Sequence, residues 1–326
     1  MKPKDVSMST SRLQAGCPIF GAALSRLRGA SSKARPLSLL LILGLTACAP
    51  PRSSRITIGA KNFTEQVVLG ELLAQEIESL THQPVDRRFY LAGSYLCQQA
   101  LVSGRIDAYV EYSGTALTAI LKQPLPPIGH RDPASVLTTI TRLYHQRYRI
   151  QAGPPLGFED TFAMVIRSDD ARRLNLHTLS EAVAQSPNLR LGVGYEFEQR
   201  PDGLPGLEAT YGLKFSSNPR VMDLGLLYRA LSAHQVDIIA GNSTDGPIRA
   251  LGLTILTDDR HYFPPYQAVP LVREDSLRRH PEIQLALNRL ANQVTADEVQ
   301  SMNDAVDAQH RDVADVVRDF RRQKGL

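Results

Sequence analysis

Gly104-Arg105-Ile106-Asp107-Ala108-Tyr109-Val110-Glu111-Tyr112-Ser113-Gly114-Thr115 has an echo later in the chain, His234-Gln235-Val236-Asp237-Ile238-Ile239-Ala240-Gly241-Asn242-Ser243-Thr244. Each copy leaves a predicted helix end, passes an aliphatic–Asp pair, and runs into a short apolar strand. Each stops on a polar tip, Tyr112-Ser113 in the first and Asn242-Ser243 in the second. Two like tips predict two similar α/β lobes whose strand ends face one another. Open α/β sheets bind ligands at such carboxyl ends. The repeated phrase therefore predicts a two-lobed binder with its site in the cleft. Asp107 and Asp237 read as strand-start residues and not as a catalytic pair.

Working outward, Arg55–Ala60 reads as a strand, with Ile56 and Ile58 alternating. A helix follows from Asn62 to about Leu80, its apolar stripe running Phe63, Val67, Leu72/Leu73, Ile77 and Leu80. Asn62 and Glu65 are spaced as a capping box. Pro84–Leu91 reads as a strand, Ser94–Ser103 as a helix and Ile106–Val110 as a third strand. That βαβαβ order implies a parallel sheet with right-handed crossovers. After a Pro-rich loop and a helix around Ala134–Tyr148, a second series runs from the strand Thr161–Arg167 to the strand Leu253–Thr257. Val269–Arg273 reads as a strand returning to the first lobe. The tail from His280 is helical, with Thr295-Ala296-Asp297-Glu298 as a second capping box. These elements give lobe one as 55–157 plus 264–326 and lobe two as 158–263.

The start of the chain reads differently. Arg35-Pro36, the apolar run Leu37–Leu45 and Leu45-Thr46-Ala47-Cys48 form a secretory signal, too short to span a bilayer. Cys48 after Leu-Thr-Ala resembles a bacterial lipobox, where it would be lipidated and begin the mature chain; an ordinary signal peptide is the alternative. Residues 1–47 are set aside as an upstream extension plus signal, and 48–54 as a tether. Residues 1–47 hold seven Lys/Arg against one Asp, so the +4 of the whole chain becomes −2 from residue 48 onward. No basic excess remains for nucleic acid. With Cys48 lipidated, Cys97 has no partner and no structural disulfide is expected.

The chemistry-bearing residues gather at strand-to-helix junctions. Lys61 in Gly59-Ala60-Lys61-Asn62-Phe63-Thr64-Glu65 joins a cation to a helix start, an arrangement suited to a carboxylate, although a Lys before a helix is ordinarily solvated. Arg200 occupies a similar junction in lobe two, and its fork fits the same anion unless Glu196 or Glu198 takes it. Tyr112, Phe162 and Tyr266 supply rings, and Asp160 a nearby carboxylate. Aromatic faces beside an acid suit a quaternary ammonium, each ring contributing roughly 0.5–2 kcal/mol when desolvated. Taken singly, each ring is equally a core or hinge residue.

Gly59–Gln66, Glu111–Thr115, Gly157–Ala163, Glu196–Gly206, Asn242–Gly246 and Thr257–Gln267 together resemble the substrate-binding proteins of ABC importers for glycine betaine, choline, carnitine and related osmoprotectants. The resemblance implies an α/β type II periplasmic-binding-protein fold, with two lobes, a ligand cleft and two crossover segments. It implies that Lys61, Thr115 and Arg200 contact a betaine carboxylate, and that Tyr112, Phe162 and Tyr266 line an aromatic cage with Asp160 beside the cation. Phe162 stands where these proteins have Tyr, and Asn242 where they often have a further cage Tyr. Loss of one cation–π wall weakens binding by about tenfold, unless Tyr195, Phe197 or Tyr262 fills the gap. A polar Asn242 also suits a larger betaine of the ergothioneine type. The implied partners are an ABC permease and its ATPase. The expected mechanism is capture by lobe closure, with hinges near Gly157–Phe162 and Asp258–Tyr266, in a monomer tethered to the membrane by lipid.

Enzymatic readings find little footing. There is no HExxH, CxxC or GxSxG, and Gly192-Val193-Gly194 lacks the third glycine of a dinucleotide fingerprint. No metal, cofactor or catalytic residue is expected. An exported hydrolase and a lipid-tethered sensor that presents solute to a receptor are the competing classes.

Overall fold

The computed structural model describes residues 55–326 apart from 129 and 130; the signal and Cys48 lie outside them. Ten strands follow one another as β1 Thr57–Gly59, β2 Asp86–Arg88, β3 Ala108–Tyr112, β4 Ile150–Ala152, β5 Phe162–Arg167, β6 Leu191–Val193, β7 Arg220–Val221, β8 Ile238–Asn242, β9 Leu253–Leu256 and β10 Ala268–Arg273. They form two five-stranded sheets, β2-β1-β3-β10-β4 and β7-β6-β8-β5-β9. The two orders are the same pattern. In each, three parallel strands lie beside an antiparallel strand that enters from the other lobe. This is the two-lobed α/β fold expected from the echo.

The echo is a structural repeat in detail. Gly104 and His234 both take a left-handed φ, 71° and 54°, to turn the chain out of the preceding helix. Glycine does this at no steric cost, and histidine pays for it. Asp107 then accepts the Thr57 N–H at 2.9 Å, and Asp237 accepts the Arg190 N–H at 2.9 Å. Each repeated Asp thus pins its strand to the neighbouring strand. At the other end, the Ser113 N–H donates to the Gln267 carbonyl while its Oγ accepts the Gln267 N–H. Ser243 does the same with Thr161. The repeated serines therefore hold the two crossover segments, which pair with each other through Glu159 and Gln267.

Helix Thr64–Thr81 is buried on more than its apolar stripe. Leu72, Leu73 and Ile77 of that stripe face one core together with Val68 and Leu69, but Glu65, Gln66, Glu71 and Glu76 are buried too. The reason is the C-terminal return. Helices Glu282–Leu290, Ala296–Asp307 and Val313–Lys324 add Ile283, Leu287, Val299, Met302, Val317 and Phe320 to the same core. Arg289 and Arg321 neutralise Glu76, and Arg87 forks onto Glu71. The capping box at Thr295 and Glu298 forms with both of its bonds.

The box read at Asn62 and Glu65 does not form. The helix starts one residue later, with Phe63 as N-cap in extended conformation and no side-chain cap. Glu65 turns inward instead. Cys97 is a free, buried thiol, pushed up to about 12 mainly by burial. Among the described residues, no helix is long and apolar enough to cross a membrane.

Candidate functional site

Between the two sets of strand ends lies a cleft of about 290 Å³. Lys61, Tyr112, Thr115, Asp160, Phe162, Arg200, Asn242 and Tyr266 all line it, so the eight residues chosen from sequence meet in one place. The repeat explains why. The tips of β3 and β8 deliver Tyr112 and Asn242, and the antiparallel partners place Ala268 opposite Tyr112 and Phe162 opposite Asn242.

Lobe one supplies a cation that is already paired. Lys61 is buried, and its Nζ bonds to Glu111 on β3 and lies 4.8 Å from the centre of the Tyr112 ring. It is not the solvated lysine of a surface helix start. Glu111 also accepts the Tyr112 N–H at 2.8 Å, so one carboxylate sets both the lysine and the ring. Phe63, read from sequence as part of the helix stripe, lines the cleft and stacks near Tyr112, with ring centres 6.5 Å apart. Gly114 admits the last ring, because a Cβ there would stand 2.6 Å from Tyr266.

Lobe two mirrors this with an arginine. Arg200 follows the helix Tyr195–Gln199, and its fork grips Asp202 through Nε and Nη2. Glu196 is a long second partner at 3.5 Å and Glu198 is not one; the residue two positions on takes the fork. The guanidinium lies 4.9 Å from the Phe162 ring. Of the three rings weighed as fillers for the Asn242 gap, Phe197 is buried in the cleft wall, 4.9 Å edge-on to Phe162. Tyr195 stands at the cleft but is largely exposed. Tyr262 is not a wall residue; its hydroxyl donates to the Pro201 and Gly203 carbonyls.

Two buried acids tie the lobes together. Asp202 of lobe two accepts the Tyr266 hydroxyl at 2.7 Å and the Thr118 hydroxyl of lobe one at 2.9 Å. Glu65 of lobe one accepts the Tyr112 hydroxyl at 2.6 Å and the Thr244 hydroxyl of lobe two, with Asn303 Nδ2 at 3.1 Å. Each acid thus holds a cleft-lining tyrosine and a threonine that follows the opposite strand tip. Their electrostatics differ. Burial opposes the charge of Asp202, but Arg200 and the two hydroxyls outweigh it and hold the carboxyl below its usual range. Burial pushes Glu65 up to about 7 against its hydrogen bonds. Asp160 and Asp245 are raised as well, by burial first, and for Asp160 then by the neighbouring acids Glu65 and Asp245. A third bridge runs from the Ser94 N–H of lobe one to Glu196 at 2.8 Å.

The family described as the substrate binding domain of ABC-type glycine betaine transport systems matches residues 54–323. The chain belongs to that family. Within it, the carnitine transport binding protein OpuCC of Listeria monocytogenes is 30% identical over 293 residues, covering 87% of this chain and 94% of that protein. The ergothioneine transport permease/ergothioneine binding protein EgtU of Helicobacter pylori is 29% identical over 88% of this chain; the match spans 52% of that longer protein. A chain from a crystal structure of a glycine betaine/carnitine/choline ABC transporter superposes with a TM-score of 0.68 at 30% identity, over 83% of this chain and 98% of that one. All three carry names of transport proteins.

Proposed function

We propose that the chain is an extracytoplasmic solute-binding lipoprotein that captures a quaternary ammonium compound of the glycine betaine, choline or carnitine class. It delivers that solute to an ABC permease and its ATPase, acting as a monomer anchored through Cys48. The observation that carries the reading is the make-up of the cleft wall. Lys61 and Arg200 bring N–H donors to it and Thr115 a hydroxyl. Asp160 brings a carboxyl group with no basic group among the main influences on it. Tyr112, Phe162, Phe197 and Tyr266 add rings from both lobes.

Lys61 and Arg200 are each ion-paired, with Glu111 and Asp202. They act on a ligand carboxylate as aimed donors; an ammonium has three N–H groups and a guanidinium five, more than those acids occupy. Both cations also sit over ring faces. Like charges repel, so a ligand ammonium is steered toward Asp160 and its carboxylate toward Lys61 and Arg200. Because the wall comes from both lobes, ligand contacts favour the closed form, and only contacts stronger in that form shift the equilibrium.

The test is thermal unfolding of the protein with glycine betaine, choline, carnitine, ergothioneine and an ordinary amino acid. A ligand at a hundred times its Kd stabilises by about 2.7 kcal/mol. If no quaternary amine moves the transition, the cage reading fails. Ergothioneine alone moving it assigns the polar wall at Asn242 to a larger betaine. A Tyr112→Ala variant that binds as tightly as the parent overturns the site.

A further inference from the structure

We infer that Glu65 is a positioning residue that ties the Tyr112 ring to lobe two and makes capture of a cation in the cleft release protons. The inference rests on the quaternary-ammonium reading of the cleft and deepens it.

The geometry is a chain of buried groups that begins at the ligand. Asp160 and Tyr112 line the cleft. Behind them Glu65 takes the Tyr112 hydroxyl on Oε1, and on Oε2 the Thr244 hydroxyl and Asn303 Nδ2. The Thr244 N–H and Ser243 hydroxyl reach back to Asp160 at 3.4 Å. Asp245 holds the turn by accepting the Asn242 N–H at 2.9 Å and the Tyr228 hydroxyl at 2.6 Å. Three carboxyl groups thus converge, Asp160 in the cleft wall and Glu65 and Asp245 behind it, from a crossover segment, a helix of lobe one and the β8 tip of lobe two.

The charged groups facing this cluster are mostly acids. From β3 comes Glu111, and from the segment before the helix Lys61, which Glu111 already engages. The helix Ala296–Asp307 presents Asn303, and its last turn holds Asp304 and Asp307, with His310 beyond. Thr64, adjacent to Glu65, donates to Asp307. Tyr228 faces Asp245 from the helix Leu224–Ser232. Among the described residues no ion pair reaches Glu65, Asp160 or Asp245, and no base is among the main influences on any of the three.

A low-dielectric site with several carboxyls and no cation paired to them keeps some of them protonated. A quaternary ammonium cannot give or take a proton, so it enters as fixed positive charge beside Asp160. It favours the ionised acids, and protons leave to solvent as it binds. Ionised, Glu65 accepts all three of its donors, which tightens its hold on Tyr112 and Thr244 together. Ring placement, lobe closure and proton release become one event. By linkage, affinity for the cation rises with pH through the range where Glu65 ionises.

Isothermal titration of the full chain with choline, and separately with glycine betaine, tests this. Titrations near pH 7 in buffers of different ionisation enthalpy give the protons released, and titrations from pH 5.5 to 8.5 give the profile. We expect about half a proton or more released near pH 7 and a Kd at least threefold tighter at pH 8 than at pH 6. Glu65→Gln should lower the release, flatten the profile and weaken binding about tenfold. A merely structural role would weaken binding but leave the release unchanged. Thr244→Val, which removes only the cross-lobe hydroxyl, should weaken binding about fivefold and keep the release; it carries the test with the parent profile if the Gln variant does not fold. Binding with no proton release and a flat parental profile overturns the inference and leaves the ligand class standing. No heat with either probe overturns both.

Discussion

Asp202 and Glu65 occupy corresponding places on opposite lobes, and they differ in what stands beside them. Each is almost wholly buried, each holds the hydroxyl of a cleft-lining tyrosine, and each accepts a threonine from across the cleft. Asp202 has the Arg200 fork; Glu65 has an amide and a second acid nearby. The same hydrogen-bond pattern therefore gives a fixed anion on one side and a titrating acid on the other. Burial charges a free-energy cost to an ion whichever residue bears it, and only the counter-charge decides whether the ion persists.

The strongest test of that contrast is Asp202→Asn. It keeps the volume but leaves the buried Arg200 with only the long contact to half-exposed Glu196, and breaking a buried pair costs up to about 3–5 kcal/mol. Urea unfolding at pH 7 should show that loss, whereas Glu65→Gln, which removes no ion pair, should cost less than half as much. Equal losses would erase the distinction between the two acids.

The second test is the pH dependence of unliganded stability. Glu65 in the folded chain ionises at about 7, above its ordinary 4.5. The folded state keeps the proton longer than the unfolded one, so this contribution is complete below about 4.5 and lost as pH rises through about 7. The parent should lose about 1–2 kcal/mol more than Glu65→Gln between pH 5.5 and 8. A parallel pair of profiles would mean that Glu65 is already ionised at pH 5.5. Asp202, held below its usual range by Arg200, has the opposite sign: its contribution is present at neutral pH and lost only as pH falls through that depressed value.

The contrast also explains what could be read in the sequence. The two lobes and their common topology were legible because the phrase around Asp107 and Asp237 encodes local geometry: a left-handed exit, a strand pin and a serine clamp within ten residues. Lys61, Arg200, Asp160 and the three rings were legible as junction residues, whereas Thr115 and Asn242 entered as site residues only through the family resemblance. Glu65 was not legible. Its spacing from Asn62 fits a cap, and its true partners lie 47, 179 and 238 residues away. Phe63 was hidden for the same reason, since entry to the helix at Phe63 turns a stripe residue into a cleft wall. Asp202 stood in plain view two residues after Arg200, yet the i,i+4 spacing that favours Glu196 belongs to a helix that ends at Gln199.

A third, smaller effect separates the tyrosines. Tyr266→Phe and Tyr112→Phe both keep the ring and remove one bond to an acid. Against the charged Asp202 that bond contributes about 1.5–3 kcal/mol, and against a largely neutral Glu65 about 0.5–1.5 kcal/mol. Urea unfolding at pH 5.5 should therefore rank Tyr266→Phe as the more damaging. At pH 8, where Glu65 is ionised, the two should draw closer. An unchanged gap would detach Tyr112 from the titration.

The smallest effect concerns the remaining bridge. Glu196 takes the Ser94 N–H at the start of the helix Ser94–Val102, where no side chain of that helix caps it. An acid at a helix N-terminus contributes about 0.3–1 kcal/mol, and salt screens it. Glu196 is partly exposed and belongs to the other lobe, so under the proposed capture by lobe closure its contribution would be confined to the closed form. Glu196→Gln should weaken the affinity for choline about twofold at low salt and leave it unchanged at 0.5 M NaCl. Its loss of binding should also be independent of pH between 6 and 8, unlike that of Glu65→Gln. A pH-dependent loss in the Glu196 variant would place the proton exchange at the cleft mouth instead of behind the cage.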